Sequence, residues 1–414
     1  MAVRPDTRRW LIVAALFVAI YGVSVPLAAF GVFLPVLADH FGWTRGAVSG
    51  ALSLNLLVGG VAGFAVGALA DRHGPRVLLA GTLALAGLGF ALVAAVSALW
   101  QLYVLVGLVA GIGTSSFYVL GTATVTHWFD ERRGLALALV LIGFNLGYIT
   151  GGPVAAWLIT RLGWRAAYYL LGSGCGLLAT IVALSVRLPR PAERAALRRS
   201  AARSAARPGD VEVHGITLRQ SLRDPRQWAL NVSWLLVGGT AIMISVHAVP
   251  YARDQGVSLT GASLSLTAYG IGSAIGRLLG GTLSDRLGPR PTIAAAFLLQ
   301  IVALGTLLWI PSRAALLLSL VAFGAGFASS DTVVAQVVPQ VFGMRALGAI
   351  MGILTLGWRC GAAIGPALAG FVYDATGSYR LVFGLTPLGI LVSWALFLLA
   401  TSRTGAPRKR PATT

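Results

Sequence analysis

Long apolar runs separated by short polar connections make up most of this sequence. The chain of 414 residues is 57% hydrophobic and only 11% charged, whereas a soluble protein of this size carries about 25% charged residues. Runs of about 20 apolar residues span a bilayer as helices, because lipid offers the backbone no hydrogen-bond partners. The sequence therefore predicts an all-α membrane protein that crosses the bilayer many times.

Twelve such runs can be delimited, and we number them segments 1 to 12. Two groups of six are separated by a basic polar stretch, so we expect a six-helix bundle at 1–187, a linker at 188–227, and a second six-helix bundle with a polar tail at 228–414. The predicted segment bounds are 10–38, 46–70, 76–97, 99–127, 132–160, 164–187, 228–252, 260–285, 290–310, 313–341, 345–373 and 379–401.

The basic residues predict how the chain is oriented in the membrane. With the N-terminus inside, 24 of the 32 Lys and Arg residues fall on the cytoplasmic side, six fall outside and two lie within apolar runs. Bacterial membrane proteins concentrate Lys and Arg in cytoplasmic loops. We therefore expect a multi-pass protein of the bacterial cytoplasmic (inner) membrane with both termini and the linker in the cytoplasm. The net charge of +19 is then a topology signal that contacts lipid head groups, and nucleic acid is not an expected partner.

A ten-residue pattern, G-x-L-x-D-R-x-G-P-R, occurs once in each half of the chain. It runs from Gly67 to Arg76 after segment 2 and from Gly281 to Arg290 after segment 8. Two copies at equivalent places indicate that the chain arose by duplication of a six-segment unit.

Three formal charges lie deep in the apolar runs: Arg277 in segment 8, Asp331 in segment 10 and Arg359 in segment 11. An unpaired charge at that depth costs at least about 2.5 kcal/mol, so such residues are candidates for function. Helix rise places all three near the middle of the membrane, where repeat-built transporters bind their substrates. The planar fork of Arg can pair both oxygens of a carboxylate. The charges therefore predict an anion site.

Two arrangements of these charges remain open. Asp331 and Arg359 lie on neighbouring segments and can form a purely structural ion pair, which would leave Arg277 as the lone cation that binds substrate. The three charges together leave a local charge of +1, which fits a monoanion. Protonation of Asp331 would raise it to +2 and suit a dicarboxylate.

Polar residues in other segments add candidates. Tyr118 and Asn145 are the best-placed substrate contacts from the first half, ahead of other polar residues such as Asn55. His247 in segment 7 either exchanges protons near neutral pH or acts as a hydrogen-bonded gate residue. Asp331 and His247 are thus the candidates for proton coupling.

The repeated pattern and the division into six plus six segments resemble the major facilitator superfamily over nearly the whole chain. In that superfamily the repeated loop gates the change between inward-facing and outward-facing states. The resemblance therefore assigns Asp71, Arg72, Asp285 and Arg286 to gating rather than to substrate binding.

Finer features resemble the branch that contains bacterial monocarboxylate transporters and oxalate/formate antiporters. They include Phe41-Gly42-Trp43-Thr44-Arg45 after segment 1, Gly163-Trp164-Arg165 after segment 5, the stretch from His247 to Gly256 and the pair Gly276-Arg277. The resemblance implies that Arg277 binds the substrate carboxylate and that Arg359 takes the place of the antiporter's cation in segment 11. Animal-type carriers have an acid one turn before the segment 8 Arg, whereas this chain has Ser273 there and Asp331 in segment 10. Their scheme of proton handling therefore does not transfer directly.

Other classes of function find no support in the sequence, which contains no phosphate-binding loop, no metal-ligand cluster and no nucleophile–base arrangement. We expect a non-enzymatic secondary transporter of small organic anions, either mono- or dicarboxylates. It would work by alternating access, through proton symport or exchange with a counter-anion, without a cofactor or metal, and as a monomer. A proton-coupled exporter of drug-like compounds is the alternative within transporters. A sensor that signals through the linker is the alternative outside them.

Overall fold

A computed structural model describes residues 5–129, 133–189, 193, 215–309, 312–343 and 345–402. All the regular secondary structure in these ranges is helical, as predicted. The bounds of the long helices in the first half are Pro5–Phe41, Arg45–His73, Pro75–Leu92 and, for segments 5 and 6, Arg133–Leu170 continued by Gly176–Ala183. In the second half they are Pro225–Asp254, Leu259–Leu287, Pro289–Trp309, Arg313–Phe342, Leu347–Thr376 and Arg380–Thr401.

Segment 4 is the least regular of the membrane segments. It consists of Leu99–Leu102, a π-helix at Tyr103–Val109, a turn of helix at Ala110–Gly113 and a helix at Ser116–Trp128. The side-chain amide of Asn55 in segment 2 donates to the Val106 carbonyl at 2.7 Å. This contact satisfies a backbone group within the π-helix, so Asn55 has a structural role here.

Eleven helices among the described residues are long and apolar enough to cross a membrane by length and composition. The predicted segment 8, Leu259–Leu287, is not among these eleven, because its serines, its glycines and the charges from Arg277 onward lower its hydropathy. It nevertheless has 29 residues, which at a rise of about 1.5 Å per residue exceeds the thickness of the hydrocarbon core. It also packs between segments 5 and 10. We therefore count it as the twelfth segment.

The predicted linker and the polar tail lie largely outside the described residues. Where the chain is described again, Ile216 N donates to the carbonyl of Phe342 at 3.0 Å, next to the end of segment 10. A short helix, Leu218–Arg223, follows, and segment 7 begins at Pro225, slightly earlier than predicted. The face of the membrane bundle that carries these elements is called the linker end, and the opposite face is called the far end.

The two copies of the repeated pattern form the same turn at the linker end. Gly74 and Gly288 have φ values of 78° and 89°, which residues with a side chain rarely adopt. The amide of Gly74 donates to Ala70 O at 2.8 Å, and that of Gly288 donates to Ser284 O at 3.0 Å. Each glycine thus ends one helix, and the Pro that follows it begins the next.

Small residues allow the helices to approach each other closely. A methyl group added to Gly280 in segment 8 would lie 2.6 Å from Ser329 Cα in segment 10. One added to Gly143 in segment 5 would lie 2.5 Å from the Phe17 carbonyl oxygen in segment 1. Helix association in lipid depends on such packing, so these glycines fix which face of each helix points inward.

Candidate functional site

A cavity of about 180 Å³ lies between the two halves, near the middle of the helices. It is lined from the first half by Tyr118 and Asn145, and from the second half by Arg277, Asp331 and Arg359. The structure therefore brings together all four residues predicted to bind substrate and one of the two candidates for proton coupling.

The charges in this cavity do not form the predicted pair between Asp331 and Arg359. Nη1 of Arg277 donates to Oδ2 of Asp331 at 2.9 Å, with the two side chains 29% and 31% exposed. A second hydrogen bond joins segments 8 and 10 next to this pair, since Oγ of Ser329 donates to the Gly276 carbonyl at 2.9 Å. The expectation that Arg277 is a lone, unneutralised cation is therefore wrong, and so is the predicted pair between Asp331 and Arg359.

Arg359 is the cation left without a neutralising partner. Among the described residues, none forms a hydrogen bond or ion pair with its guanidinium. Its side chain crosses from the second half to segment 2, because residues 59 and 60 there are glycines. A methyl group on Gly60 would lie 3.1 Å from Arg359 Cδ, and one on Gly59 would lie 3.2 Å from Nη1. We call these two residues the glycine slot.

The two predicted contacts from the first half differ in exposure. Tyr118 lines the cavity, and 43% of the residue is exposed. Asn145 is only 4% exposed, and its Nδ2 is buried with no hydrogen-bond partner. A buried donor without a partner costs about 1–3 kcal/mol. Asn145 therefore has an unused hydrogen bond to offer at the cavity wall.

A row of aromatic rings, which we call the aromatic wall, forms another side of the cavity. The ring centroids of Phe117 and Phe144 are 5.6 Å apart and nearly parallel. Phe144 lies 5.3 Å from Tyr148, and Tyr148 lies 5.7 Å from Tyr269 across the boundary between the halves. Phe327 completes the row at 6.3 Å from Tyr269. The wall thus runs from segment 4 to segment 10 without interruption.

At the far end, Arg45 at the start of segment 2 ties the halves together. Its Nη1 and Nη2 donate to the two carboxylate oxygens of Asp254 in segment 7, at 2.7 and 2.6 Å. Nη1 also donates to Tyr379 Oη at 3.2 Å, and the guanidinium carbon lies 3.9 Å from the centre of the Tyr373 ring. A fork on a carboxylate with an aromatic ring beneath it is specific to Arg.

Asp374, in the last turn of segment 11, caps segment 2 from the opposite half. Its two carboxylate oxygens accept hydrogen bonds from the amides of Arg45 and Gly46 at 2.9 and 2.8 Å. A carboxylate at a helix N-terminus is favoured by the helix dipole. Segments 2 and 11 approach each other closely at Gly46 and Gly370, because a methyl group added to Gly370 would lie 2.6 Å from Gly46 Cα. The residues Arg45, Asp254, Tyr373, Asp374 and Tyr379 are together called the latch.

His247 belongs to the surroundings of the latch and not to the cavity. It is fully buried, with Nε2 2.8 Å from the Pro366 carbonyl oxygen and Nδ1 2.9 Å from Tyr379 Oη. Because a carbonyl can only accept, Nε2 carries the proton, and in a neutral ring Nδ1 accepts from the Tyr379 hydroxyl. The ring connects the latch to the Pro366 carbonyl in segment 11. The structure thus does not bring this proton-coupling candidate to the charges of the cavity.

The predicted gating residues lie at the linker end. Arg72, Asp285 and Arg286 are exposed at helix ends, and the Asp71 side chain lies outside the described part of the structure. Within the described ranges, hydrogen bonds and ion pairs between the halves occur only on the far-end side of the cavity. Among the described residues, polar contacts therefore join the halves at the far end and not at the linker end.

The latch and the aromatic wall were missed in the sequence. Arg45 and Asp254 stood in motifs at the ends of segments that supported the family resemblance, and Arg45 also counted toward topology, but neither was predicted to pair with the other. One signal was present: Asp374 lies in the last turn of a helix, where a negative charge is unfavourable unless a partner compensates. Such an acid indicates a partner, although the sequence does not identify it.

Comparison with known proteins places the chain in a family. The family model of the Major Facilitator Superfamily matches residues 11–251 and 236–414, and the chain belongs to that superfamily. The protein is therefore a membrane transporter by family, and this family is not one of enzymes. The finer assignment comes from individual relatives.

Two of those relatives have named transport activities. Human monocarboxylate transporter 11 is 30% identical over 97% of this chain and 83% of the relative. The oxalate:formate antiporter of Oxalobacter formigenes is 23% identical over 90% of this chain and 86% of its own length. In fold, the chain is similar to the crystal structure of a bacterial homolog of the human lysosomal transporter Spinster. The TM-score is 0.77 at 17% identity, over 96% of this chain and 97% of that one.

The geometry of the latch predicts that Asp254→Asn favours opening at the far end. The substitution removes a charge-assisted pair worth about 1.5–3 kcal/mol, so the ratio of open to closed molecules should rise by about 10- to 150-fold. The measurement is the distance between spin labels attached to cysteines at Arg161 and Thr260, two exposed far-end positions in opposite halves. Cys175 and Cys360 are first replaced by Ala.

Asp39→Asn is the matched control. Asp39 is an exposed acid at the same end of segment 1, and it has no ion pair among the described residues. The control should leave the distance distribution as in the wild type. An unchanged distribution in Asp254→Asn would show that the latch does not hold the halves together.

Proposed function

We propose that the protein is a secondary transporter of small organic anions that binds a carboxylate in the cavity between its halves. The observation that carries this proposal is Arg359, a cation on the cavity wall that no described acidic residue neutralises. The relatives named above as a monocarboxylate transporter and an oxalate:formate antiporter support the same class of substrate.

The orientation that we propose puts the linker end in the cytoplasm of a bacterium and the far end outside the inner membrane. The concentration of Lys and Arg in the linker-end loops supports it. In this orientation the latch joins the halves on the outer side of the cavity. Outward opening requires the latch to break, and closure at the linker end is the role proposed for Asp71, Arg72, Asp285 and Arg286.

In the proposed binding mode, Arg359 pairs with the substrate carboxylate, and Tyr118 and Asn145 supply hydrogen bonds from the first half. Charge-assisted hydrogen bonds contribute about 1.5–3 kcal/mol each. Because Arg359 belongs to segment 11 and the other two residues to segments 4 and 5, a bound anion contacts both halves. Such a ligand stabilises arrangements in which the halves are close together.

Arg277 and Asp331 supply the proposed coupling to protons. While Asp331 is ionised, it holds Nη1 of Arg277. When Asp331 takes up a proton, its attraction for the guanidinium falls and Arg277 is released to bind the substrate as a second cation. Proton binding and anion binding then favour each other, which is the requirement for symport. We therefore propose symport ahead of anion exchange, with Asp331 rather than His247 as the proton site.

Export of drug-like compounds is the less favoured function. The one acidic side chain among the described residues of the cavity is Asp331, and it is already paired with Arg277. A cavity with a net positive charge disfavours the cationic compounds that many such exporters carry and favours anions.

The glycine slot provides the first test of the binding mode. Gly60→Ala should weaken the binding of pyruvate by about three- to tenfold, because the added methyl group displaces Arg359 Cδ and so moves the fork from its bidentate position. The measurement is titration calorimetry with the purified protein in lipid nanodiscs. Gly63→Ala, on the same helix, is the control, since its methyl group would come no closer than 3.4 Å to any atom and would not touch Arg359.

A double substitution makes this test specific to Arg359. Arg359→Ala alone should weaken pyruvate binding by about 10- to 150-fold. Adding Gly60→Ala to Arg359→Ala should have no further effect, because the residue that the slot positions is gone. If the losses of pyruvate binding caused by Gly60→Ala and by Arg359→Ala add fully in the double variant, the glycine slot acts through helix packing and not through Arg359.

The second test concerns coupling. Proteoliposomes containing the wild type should accumulate labelled pyruvate when the proton gradient points inward. Asp331→Asn should abolish this response and still exchange labelled for unlabelled pyruvate, since a neutral side chain mimics the protonated state permanently. His247→Gln should keep the response to the gradient even if turnover slows. Gradient-driven accumulation by Asp331→Asn would mean that the proton binds elsewhere.

A further inference from the structure

The cavity combines a single unpaired cation with an aromatic wall, and this combination selects among carboxylates. We infer that the preferred substrates are aryl-substituted monocarboxylates, which have one carboxylate and a flat apolar body. This inference rests on the proposed function and names the substrate class of the same site.

While Asp331 is paired with Arg277, the charges of the cavity offer a cation to one anionic group. Arg277 and Asp331 neutralise each other at 2.9 Å, so Arg359 is the cation available for a carboxylate in the described conformation. A second carboxylate would have to displace Asp331 from Arg277 or remain without a partner against an apolar wall. Both outcomes carry the cost of a poorly compensated charge.

The aromatic wall supplies the surface for an apolar body. Its rings make both nearly parallel and tilted contacts, with 10° between the planes of Phe117 and Phe144 and 46° between those of Tyr148 and Tyr269. A substrate ring can extend such a row by an offset-stacked or edge-on contact, which adds affinity beyond the area that it buries. Pyruvate, in contrast, has only a methyl group beyond its 2-oxo carboxylate. When its carboxylate pairs with Arg359, it therefore makes much less contact with the wall.

Asn145 provides an independent observation of an unmet contact in the same cavity. Its buried Nδ2 has no partner, and it lies one residue after Phe144 of the aromatic wall. A ligand that covers the wall and carries a carbonyl or hydroxyl oxygen beside its carboxylate can accept this hydrogen bond. Aryl 2-oxo acids combine all three features.

The test is equilibrium binding to the purified wild-type protein in nanodiscs, measured by calorimetry. Binding is preferable to uptake, because protonated aryl acids partition into lipid without a carrier. Two matched pairs of ligands separate the features. Phenylpyruvate and pyruvate share the 2-oxo carboxylate and differ by the ring. Homophthalate and phenylacetate share the ring and differ by a second carboxylate.

Phenylpyruvate should bind at least about fivefold more tightly than pyruvate, because its ring contacts the wall. Homophthalate should bind at least about tenfold more weakly than phenylacetate, because its second carboxylate has no cation. Equal binding within either pair overturns the inference, and the wild-type protein alone decides this.

A variant ties the preference to the wall. Phe144→Leu should reduce the advantage of phenylpyruvate over pyruvate to about twofold, because the ratio of the two affinities reports the contact between the substrate ring and the wall. Phe64→Leu is the control, since Phe64 is 61% exposed on segment 2 and does not line the cavity. An unchanged advantage in a folded Phe144→Leu protein would also overturn the inference.

The outcomes distinguish this inference from the function on which it rests. Pyruvate binding that depends on Arg359, without any gain from the ring, would overturn the aryl preference and leave carboxylate transport supported. Failure of every carboxylate to bind would overturn both.

Discussion

The chemistry of the cavity depends on the ion pair between Arg277 and Asp331. Three charges at this depth would be costly if each stood alone. Pairing two of them leaves a site with one cation, Arg359, facing a cavity that is otherwise largely aromatic. The same pair allows the charge of the site to change, since protonation of the Asp331 carboxylate would raise the number of cations available to the substrate from one to two. In the coupling that we propose, a single contact between segments 8 and 10 thus connects substrate charge to proton binding.

Among the described residues, the polar contacts between the two halves are concentrated at the far end, and this distribution suits alternating access. At the far end, the first half donates hydrogen bonds to two acids of the second half: the Arg45 side chain donates to Asp254, and the amides of Arg45 and Gly46 donate to Asp374. Among the described residues the linker end has no equivalent contacts. A change of state then exchanges one set of polar contacts for another, and a ligand bound between the halves can shift that balance only by binding one state more tightly.

Much of the fold was predictable, because the bilayer requires long helices and the ends of these helices are marked by residues such as Gly74 and Gly288. The three intramembrane charges were predictable because they are rare. Their pairing was not, since the rotation of each helix about its axis depends on close packing such as that between Gly276 and Ser329. The latch was also not predictable, because it joins residues hundreds of positions apart that each look like ordinary charges at helix ends.

The central claim is that Arg359, and not the Arg277–Asp331 pair, holds the carboxylate in the resting site. Removing the whole pair in Arg277→Ala/Asp331→Ala keeps the net charge of the cavity, whereas Arg359→Ala removes it. Pyruvate binding, measured by calorimetry at about pH 8, where free carboxyl groups are ionised, tests the claim most directly. The double variant should keep its affinity within about threefold of the wild type, and Arg359→Ala should lose about 10- to 150-fold. The reverse order, with binding lost in the double variant and retained in Arg359→Ala, would contradict the claim.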